Sequence, residues 1–170
     1  ACSHPSSSPQ EVTTGVWLVE EGIPKAVLVT DYPARAPASV REGIDRSVAL
    51  LQRVVEKRTG ITLPIADPAA GTLPRGLIPV FVGGGPATLA AGLDPSALEG
   101  EAYRIVVRPD AVFLFGKPPE REPVQEELFP WEASTYFAVA RVARDHLGVI
   151  WLWPGEAGLY VPVASSAWLT

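Results

Sequence analysis

The strongest constraint on the fold is the alternation of strand-length apolar runs with segments of helical periodicity. The runs are short, apolar or rich in β-branched residues, and bounded by Pro, Gly or Asp, which is typical of β-strands. They lie at residues 15–30 (two runs), 61–66, 76–85, 101–107, 111–115 and 149–153. With the helical segments they predict the order β-β-α-β-β-α-β-β-α-β. That order predicts an α/β (α+β) domain with a mixed β-sheet flanked by helices.

The first long helix is predicted from Ser39 to about Arg58. Apolar residues recur there at spacings of three and four, which places them on one helix face. These residues are Val40, Ile44, Val48, Leu51 and Val55. Ser39 and Glu42 match an S-x-x-E capping box, and Gly60 supplies a C-terminal stop.

The second half of the chain predicts a hairpin and another long helix. The runs YRIVV and VFLF flank the turn former Pro109-Asp110, which predicts the hairpin. After a proline-rich loop, a helix is predicted over 134–147. Its inward side chains are expected to be Tyr136, Phe137, Ala140, Ala143 and Leu147. The run VIWLW then predicts a buried strand, in which Trp151 and Trp153 share one face.

The bulk composition favours one globular domain and argues against two classes of partner. A chain of 170 residues can form one hydrophobic core, and 47% hydrophobic against 19% charged residues is typical of a folded protein. The net charge of -5 argues against a nucleic acid or an anionic membrane surface, because both require concentrated positive charge. No apolar run approaches the ~20 residues of a transmembrane helix.

Residues 1–13 are predicted to form a flexible tether, which leaves 14–170 as a single domain. Cys2 is the only cysteine and precedes a Ser/Pro-rich stretch. This arrangement resembles the start of a mature bacterial lipoprotein, in which the cysteine is acylated. We therefore expect an exported protein of the cell envelope, periplasm or extracellular space, with membrane contact only through the lipid. The alternative is an ordinary terminus with an incidental cysteine.

Signatures of catalysis are sparse. The two histidines, His4 and His146, lie far apart, and no cluster has the spacing of a metal site, so we expect no metal and no cofactor. The run Gly83-Gly84-Gly85-Pro86 precedes a short predicted helix that ends near Ala91. Its backbone N–H groups could bind a phosphate. The favoured interpretation is a tight strand-to-helix turn, because the P-loop Lys and Ser/Thr are missing.

Aromatic residues are concentrated in the last forty positions. Outside the predicted helix they are Trp131, Trp151, Trp153, Tyr160 and Trp168. Because exposed aromatic rings can stack on sugars, the candidate ligand-binding residues are Trp131, Trp153 and Tyr160, together with Glu156 in the turn after VIWLW. The alternatives are a core or interdomain role for the aromatics and a structural role for Glu156.

The segments EAYRIVVRPDAVFLFGK and STYFAVARVARDHLGVIWLWPGEAGLYVP carry a resemblance to a known family. The matching features are the E-x-Y-R-I hairpin from Glu101, the aromatic helix around Tyr136, the helix end at Leu147-Gly148 and the turn at 151–156. They resemble the accessory domain that precedes the catalytic barrel in bacterial glycoside hydrolases of the α-glucuronidase and β-N-acetylhexosaminidase kind, particularly proteins with a DUF4838 region. The resemblance covers residues 15–162.

The resemblance implies a fold like domain 2 of β-N-acetylhexosaminidase and no catalytic residue in this chain, since the family's catalytic acids lie in a following (β/α)₈ barrel. The expected partner is that downstream catalytic domain of the same polypeptide, and the apolar ending ASSAWLT suggests that the parent protein continues. The approach to the aromatic helix, at 129–134, departs from the family's G-x-x-R-G-like pattern, which argues against a ligand contact there. The alternatives are a glycan-binding module that uses the C-terminal aromatics and, less favoured, a stand-alone enzyme.

Overall fold

The computed structural model describes residues 15–66, 72–117, 133–153 and 155–170. The strands are β1 (Val16–Glu20), β2 (Ile23–Pro24), β3 (Ala26–Asp31), β4 (Ile65–Ala66), β5 (Ile78–Gly83), β6 (Tyr103–Arg108), β7 (Ala111–Gly116), β8 (Ile150–Trp151), β9 (Leu159–Tyr160) and β10 (Ala167–Leu169). The helices are α1 (Ala38–Thr59), α2 (Pro86–Ala90) and α3 (Ala133–Asp145), with single 3₁₀ turns at Pro95–Ala97 and Glu156–Gly158.

A five-stranded mixed sheet forms the centre of the domain. Its strand order is β4-β3-β5-β7-β6, in which β6 is antiparallel to β7 and the other neighbours are parallel. Every residue of β3 and β7 is buried, as expected for strands covered on both faces. The predicted mixed sheet with helices and the predicted hairpin at Pro109-Asp110 are therefore confirmed.

Helices α1 and α3 pack against each other and against one face of this sheet. The periodicity of α1 is confirmed, because all five of its predicted apolar positions are buried. The helix ends at Gly60, whose φ of 74° and N–H bond to the Glu56 carbonyl give the expected stop. On the opposite face of the sheet, Phe81 and Phe113 stack with ring centroids 5.2 Å apart, near Leu93.

A smaller antiparallel sheet, β10-β1-β2, brings the start and the end of the described chain together. β1 and β2 form a tight hairpin, in which Glu21 and Gly22 have φ values of 49° and 79°. Two successive residues of positive φ are typical of a type I′ turn. The two runs predicted at 15–30 therefore belong to different sheets, since β3 joins the central one.

The predicted capping box at the start of α1 is wrong. The helix begins at Ala38 with Pro37 as its N-cap, and no side-chain cap bond is made there. Pro37 has a φ of -56°, which already suits the entry to a helix. Ser39 therefore lies inside the first turn, where its hydroxyl is past the capping position.

The predicted inward orientation of Tyr136 and Phe137 on α3 is also wrong, because both side chains are exposed. The buried face carries the smaller residues Ala138, Val139, Val142 and Ala143. The cause is the close approach of α3 to β7. A Cβ on Gly116 would collide with Ser134, and the Gly116 N–H donates to the Thr135 hydroxyl at 3.1 Å. Only short side chains fit between elements at that separation.

Two predicted buried strands are short and exposed. In 61–66 only β4 is a strand, and Ile65 is exposed because β4 is an edge of the central sheet. In 149–153, Val149 is buried but the strand contains only Ile150 and Trp151, both exposed. The prediction of a buried VIWLW strand is therefore wrong. The physical reason is that β8 pairs with β9 in a separate two-stranded ribbon and not with the central sheet.

Candidate functional site

The carboxyl ends of β3 and β5 form the usual ligand position in a sheet of this topology. After β3 the chain passes through α1 to β4 on one side, whereas after β5 it passes through α2 towards β7 on the other. Open α/β sheets have a crevice where neighbouring connections diverge in this way. Here the crevice is expected between Asp31, at the end of β3, and Gly83, at the end of β5.

The Asp31 carboxylate fills that position. It is 2% exposed. Its Oδ2 accepts the N–H of Gly85 (3.0 Å), the N–H of Thr88 (2.9 Å) and the Thr88 hydroxyl (2.6 Å), and its Oδ1 accepts the N–H of Ala87 (3.0 Å). These N–H groups belong to the N-cap, Gly85, and to the first turn of α2, where no preceding helical carbonyl can bind them. Asp31 therefore caps α2 from the neighbouring strand, with its negative charge at the favourable end of the helix.

The three glycines 83–85, at the end of β5 and before α2, allow this close approach. The Gly84 N–H donates to the Asp31 carbonyl at 3.0 Å. A Cβ on Gly83 would collide with the Asp31 carbonyl, and a Cβ on Gly85 would collide with that of Tyr32. The tight strand-to-helix turn, which was the favoured interpretation of this run, is confirmed. The N–H groups that the alternative offered to a phosphate are bonded to Asp31 instead.

Polar side chains next to this edge also bind one another. The Tyr32 hydroxyl donates to Asp45 Oδ1 at 2.5 Å, and the Arg41 guanidinium lies 5.1 Å from the centroid of the Tyr32 ring. Burial raises the pKa of the Tyr32 phenol above its ordinary value, and the hydrogen bond to Asp45 raises that pKa further. The geometry of this edge is that of a structural network rather than of an open ligand site.

A second candidate is the ribbon that follows α3. We call residues 150–153 and 155–160 the arm. β8 and β9 pair antiparallel within it, with Ile150 opposite Tyr160 and Trp151 opposite Leu159. Trp151, Leu152, Trp153 and Tyr160 are 38%, 62%, 55% and 54% exposed, respectively. Residues 150–153 are four consecutive large apolar residues that are all exposed, which is unusual for a segment that faces only water, so the arm is a candidate interaction surface.

Arg58 holds both ends of the arm. Its guanidinium Nη1 donates to the carbonyls of Leu147 (3.0 Å) and Pro162 (3.2 Å), and its Nε donates to the carbonyl of Ser166 (3.1 Å). The Arg58 carbonyl in turn accepts the N–H of Ala164 at 2.7 Å. The last turn of α1 is thereby joined to the segments that enter and leave the arm.

The predicted ligand-binding residues are only partly brought together. Trp153 and Tyr160 both lie on the arm and are exposed. Glu156 lies in the 3₁₀ turn between β8 and β9, and its side chain is outside the described residues. Trp131 and the predicted lipidation site, Cys2, also lie outside them, as does the tether of residues 1–13.

The remaining chemistry-bearing groups are scattered. Within 15–66, 72–117, 133–153 and 155–170, no three His, Cys, Asp or Glu side chains are grouped so that they could hold a metal ion. His146 directly follows α3, and its N–H donates to the Val142 carbonyl at 3.0 Å. No helix in the described part of the chain has the length and apolar character needed to cross a membrane.

Sequence reasoning missed Asp31 and Arg58. The available signal for Asp31 was an acid at the end of a largely apolar run, AVLVTD, in a chain whose next long apolar run ends in three glycines. No comparable local signal exists for Arg58, because its partners lie 89 to 108 residues away in sequence. Comparison of the sequence with protein-family models and with curated proteins finds no match.

Proposed function

We propose that this chain is an accessory domain, without a catalytic site of its own, of a surface-anchored carbohydrate-active protein of the α-glucuronidase and β-N-acetylhexosaminidase kind. Its catalytic barrel lies elsewhere in the same polypeptide. The central sheet then corresponds to the β-N-acetylhexosaminidase domain-2-like arrangement. Lipidation at Cys2 accounts for the attachment to the cell envelope.

The observation that carries this proposal is the closed carboxyl edge of the central sheet. The position where an α/β sheet usually binds its substrate is occupied by Asp31 and the N–H groups of Gly85, Ala87 and Thr88. A carboxylate that accepts four hydrogen bonds in a buried position has little capacity left for a substrate or a proton transfer. This arrangement supports a scaffold role.

The location of the family-like motifs gives further support. The E-x-Y-R-I hairpin corresponds to β6 and β7, the aromatic helix to α3, and the WLWPGE turn to the arm. β6 and β7 pair along their full length, and α3 packs on both. Two of the three motifs, the hairpin and the helix, therefore pack together in the fold.

The test compares this chain with the complete product of its gene. We expect the complete polypeptide to hydrolyse aryl glycosides or glucuronides, because its barrel supplies the paired carboxylates. Asp31→Asn in the complete polypeptide should lower its thermal stability while leaving kcat unchanged at a temperature where the protein is folded. A gene product without a barrel, or without any glycoside turnover, would overturn the proposal.

A second candidate function is glycan recognition by the arm. The observation in its favour is the exposure of Trp153 and Tyr160, whose rings could stack on sugars. Titration of plant and peptidoglycan oligosaccharides, followed by tryptophan fluorescence, tests it. Saturable quenching that is lost in Trp153→Ala would favour this function, and an unchanged signal across these sugars would exclude it.

A further inference from the structure

We propose that the arm is the surface by which this domain docks onto a neighbouring domain of the same polypeptide. The inference rests on the proposed accessory role and adds to it the docking element and the kind of partner. The partner surface is an apolar patch or groove on a covalently linked domain.

The charge distribution of the arm favours an apolar protein surface as its occupant. Between Leu147 and Thr170 the only charged residue is Glu156. Depletion of charge together with enrichment in Trp and Tyr is typical of the buried centre of a protein interface. Exposed surface that only faces water ordinarily carries charged residues at much higher density.

The exposed area indicates a linked domain rather than a separate protein. The three aromatic side chains of the arm expose roughly 300 Å², given that each can bury about 200 Å². Adding Ile150 and Leu152 brings the apolar area to about 500 Å². An interface between independent proteins buries about 800 Å² on each partner, whereas interdomain interfaces within one chain bury about 600–1,500 Å² in total.

A covalent link compensates for this small area. Tethering raises the effective concentration of the second domain to the order of millimolar, so weak contacts become sufficient. Arg58 favours docking in a second way. Its bonds to Leu147, Pro162 and Ser166 hold the base of the arm in place before docking. A surface that is already ordered loses less conformational entropy when it binds.

The position of Glu156 argues against a lipid bilayer as the occupant. The 3₁₀ turn Glu156–Gly158 lies in the connection between β8 and β9, so the arm itself contains an acidic residue. Placing a carboxylate among lipid headgroups and acyl chains is unfavourable, and the whole chain carries a net charge of -5. A protein surface can instead offer a hydrogen-bond donor to that carboxylate.

The test is hydroxyl-radical footprinting of the isolated chain and of the complete gene product. Docking predicts that oxidation of Trp153 and Tyr160 falls several-fold in the complete product. Oxidation of Leu89 should stay the same, because this exposed apolar residue lies on α2, which contacts β3 and β5, whereas the arm is held by the last turn of α1. The double variant Leu152→Ser, Trp153→Ser should lower the melting temperature of the complete product but not that of the isolated chain, and Leu89→Ser is its matched control.

Three outcomes would overturn the docking inference. The first is unchanged oxidation of Trp153 and Tyr160 in the complete product. Self-association of the isolated chain that the double variant abolishes would identify a second copy as the occupant, and binding to phosphatidylcholine vesicles that it abolishes would identify lipid. Glycoside turnover by the complete product is measured separately, so the accessory function can stand when docking fails. An arm that is protected in a complete product without glycoside turnover would support docking and overturn the accessory function.

Discussion

Replacing Asp31 by alanine removes the cap of α2. The effect on stability distinguishes a structural role of the Asp31 carboxylate from a catalytic one. The side chain is buried, and four donors from Gly85, Ala87 and Thr88 converge on it. Alanine leaves these donors without their acceptor, and three of the four bonds lie in a buried site. Asp31→Asn keeps the shape of the side chain, but it places an NH₂ group, which is a donor, against the N–H and O–H donors that the carboxylate accepted.

The expected cost follows from these contacts. Loss of a helix N-cap costs about 0.5–2 kcal/mol, and a buried donor left unsatisfied costs about 1–3 kcal/mol. Because the four donors share one carboxylate, their costs do not add fully. We expect Asp31→Ala to lower the free energy of unfolding by about 3–5 kcal/mol, which is a large part of the roughly 5–15 kcal/mol of a typical domain. Thr88→Val removes only one of the bonds and should cost about 1–2 kcal/mol.

Urea unfolding of the wild type, both single variants and the double variant measures these values. A double-mutant cycle should give a coupling energy between Asp31 and Thr88 of about 0.5–3 kcal/mol, since the two side chains are in direct contact. Catalytic residues behave differently, because their removal is commonly neutral or stabilising. A loss of less than about 1 kcal/mol for Asp31→Ala would refute the structural role and reopen this edge as an active site.

Three further predictions concern other parts of the fold. Arg58→Met should lower the free energy of unfolding by about 2–4 kcal/mol in urea titrations, because three carbonyls at the base of the arm lose their donor. Gly85→Ala should lower the melting temperature far more than Gly92→Ala, because the added Cβ at Gly85 collides with the Tyr32 carbonyl. A Cβ at Gly92 meets no atom, so that variant only bears the cost of a positive φ, about 1–2 kcal/mol. The raised pKa of Tyr32 contributes stability that is fully present at pH values below the ordinary tyrosine pKa of about 10. This stability is lost as the pH rises through the pKa of Tyr32 in the folded state. Asp45→Asn should lower that pKa, as measured by tyrosinate absorbance against Tyr32→Phe.

Controls make these predictions specific. Arg104 is exposed on β6, so Arg104→Met tests the general effect of removing an arginine. An equal loss for the Arg58 and Arg104 variants would contradict a special role for the arm's base. Equal melting temperatures for the two glycine variants would contradict the close packing at the end of β5, and an unchanged Tyr32 titration in Asp45→Asn would contradict the hydrogen bond as a cause.

Local patterns were sufficient to predict the elements whose burial follows from their own periodicity. α1 has an apolar residue at every third or fourth position, and all five predicted residues are buried. The β6–β7 hairpin was predictable because its turn former lies between two short apolar runs, and the register at Arg108 and Ala111 leaves only Pro109-Asp110 between them. Both cases depend on contacts between residues close in sequence.

Long-range contacts explain what the sequence could not predict. The pairing of β1 with β10 joins Val16 to Leu169, and the Asp31 cap joins residues 54 to 57 positions apart. The outward orientation of Tyr136 depends on how closely α3 approaches β7, which no periodicity in α3 records. The run 149–153 was predicted to be a buried strand because an apolar run looks the same whether it packs into the core of its own domain or lies on a surface.

In the proposed function these residues form a scaffold, and the reactive groups lie elsewhere in the polypeptide. The decisive measurement is turnover of aryl glycosides and glucuronides by the purified chain. We predict no hydrolysis above that of a heat-denatured sample. Measurable turnover that disappears when a single acid such as Asp31 is replaced, in a variant whose circular dichroism spectrum is unchanged, would contradict it.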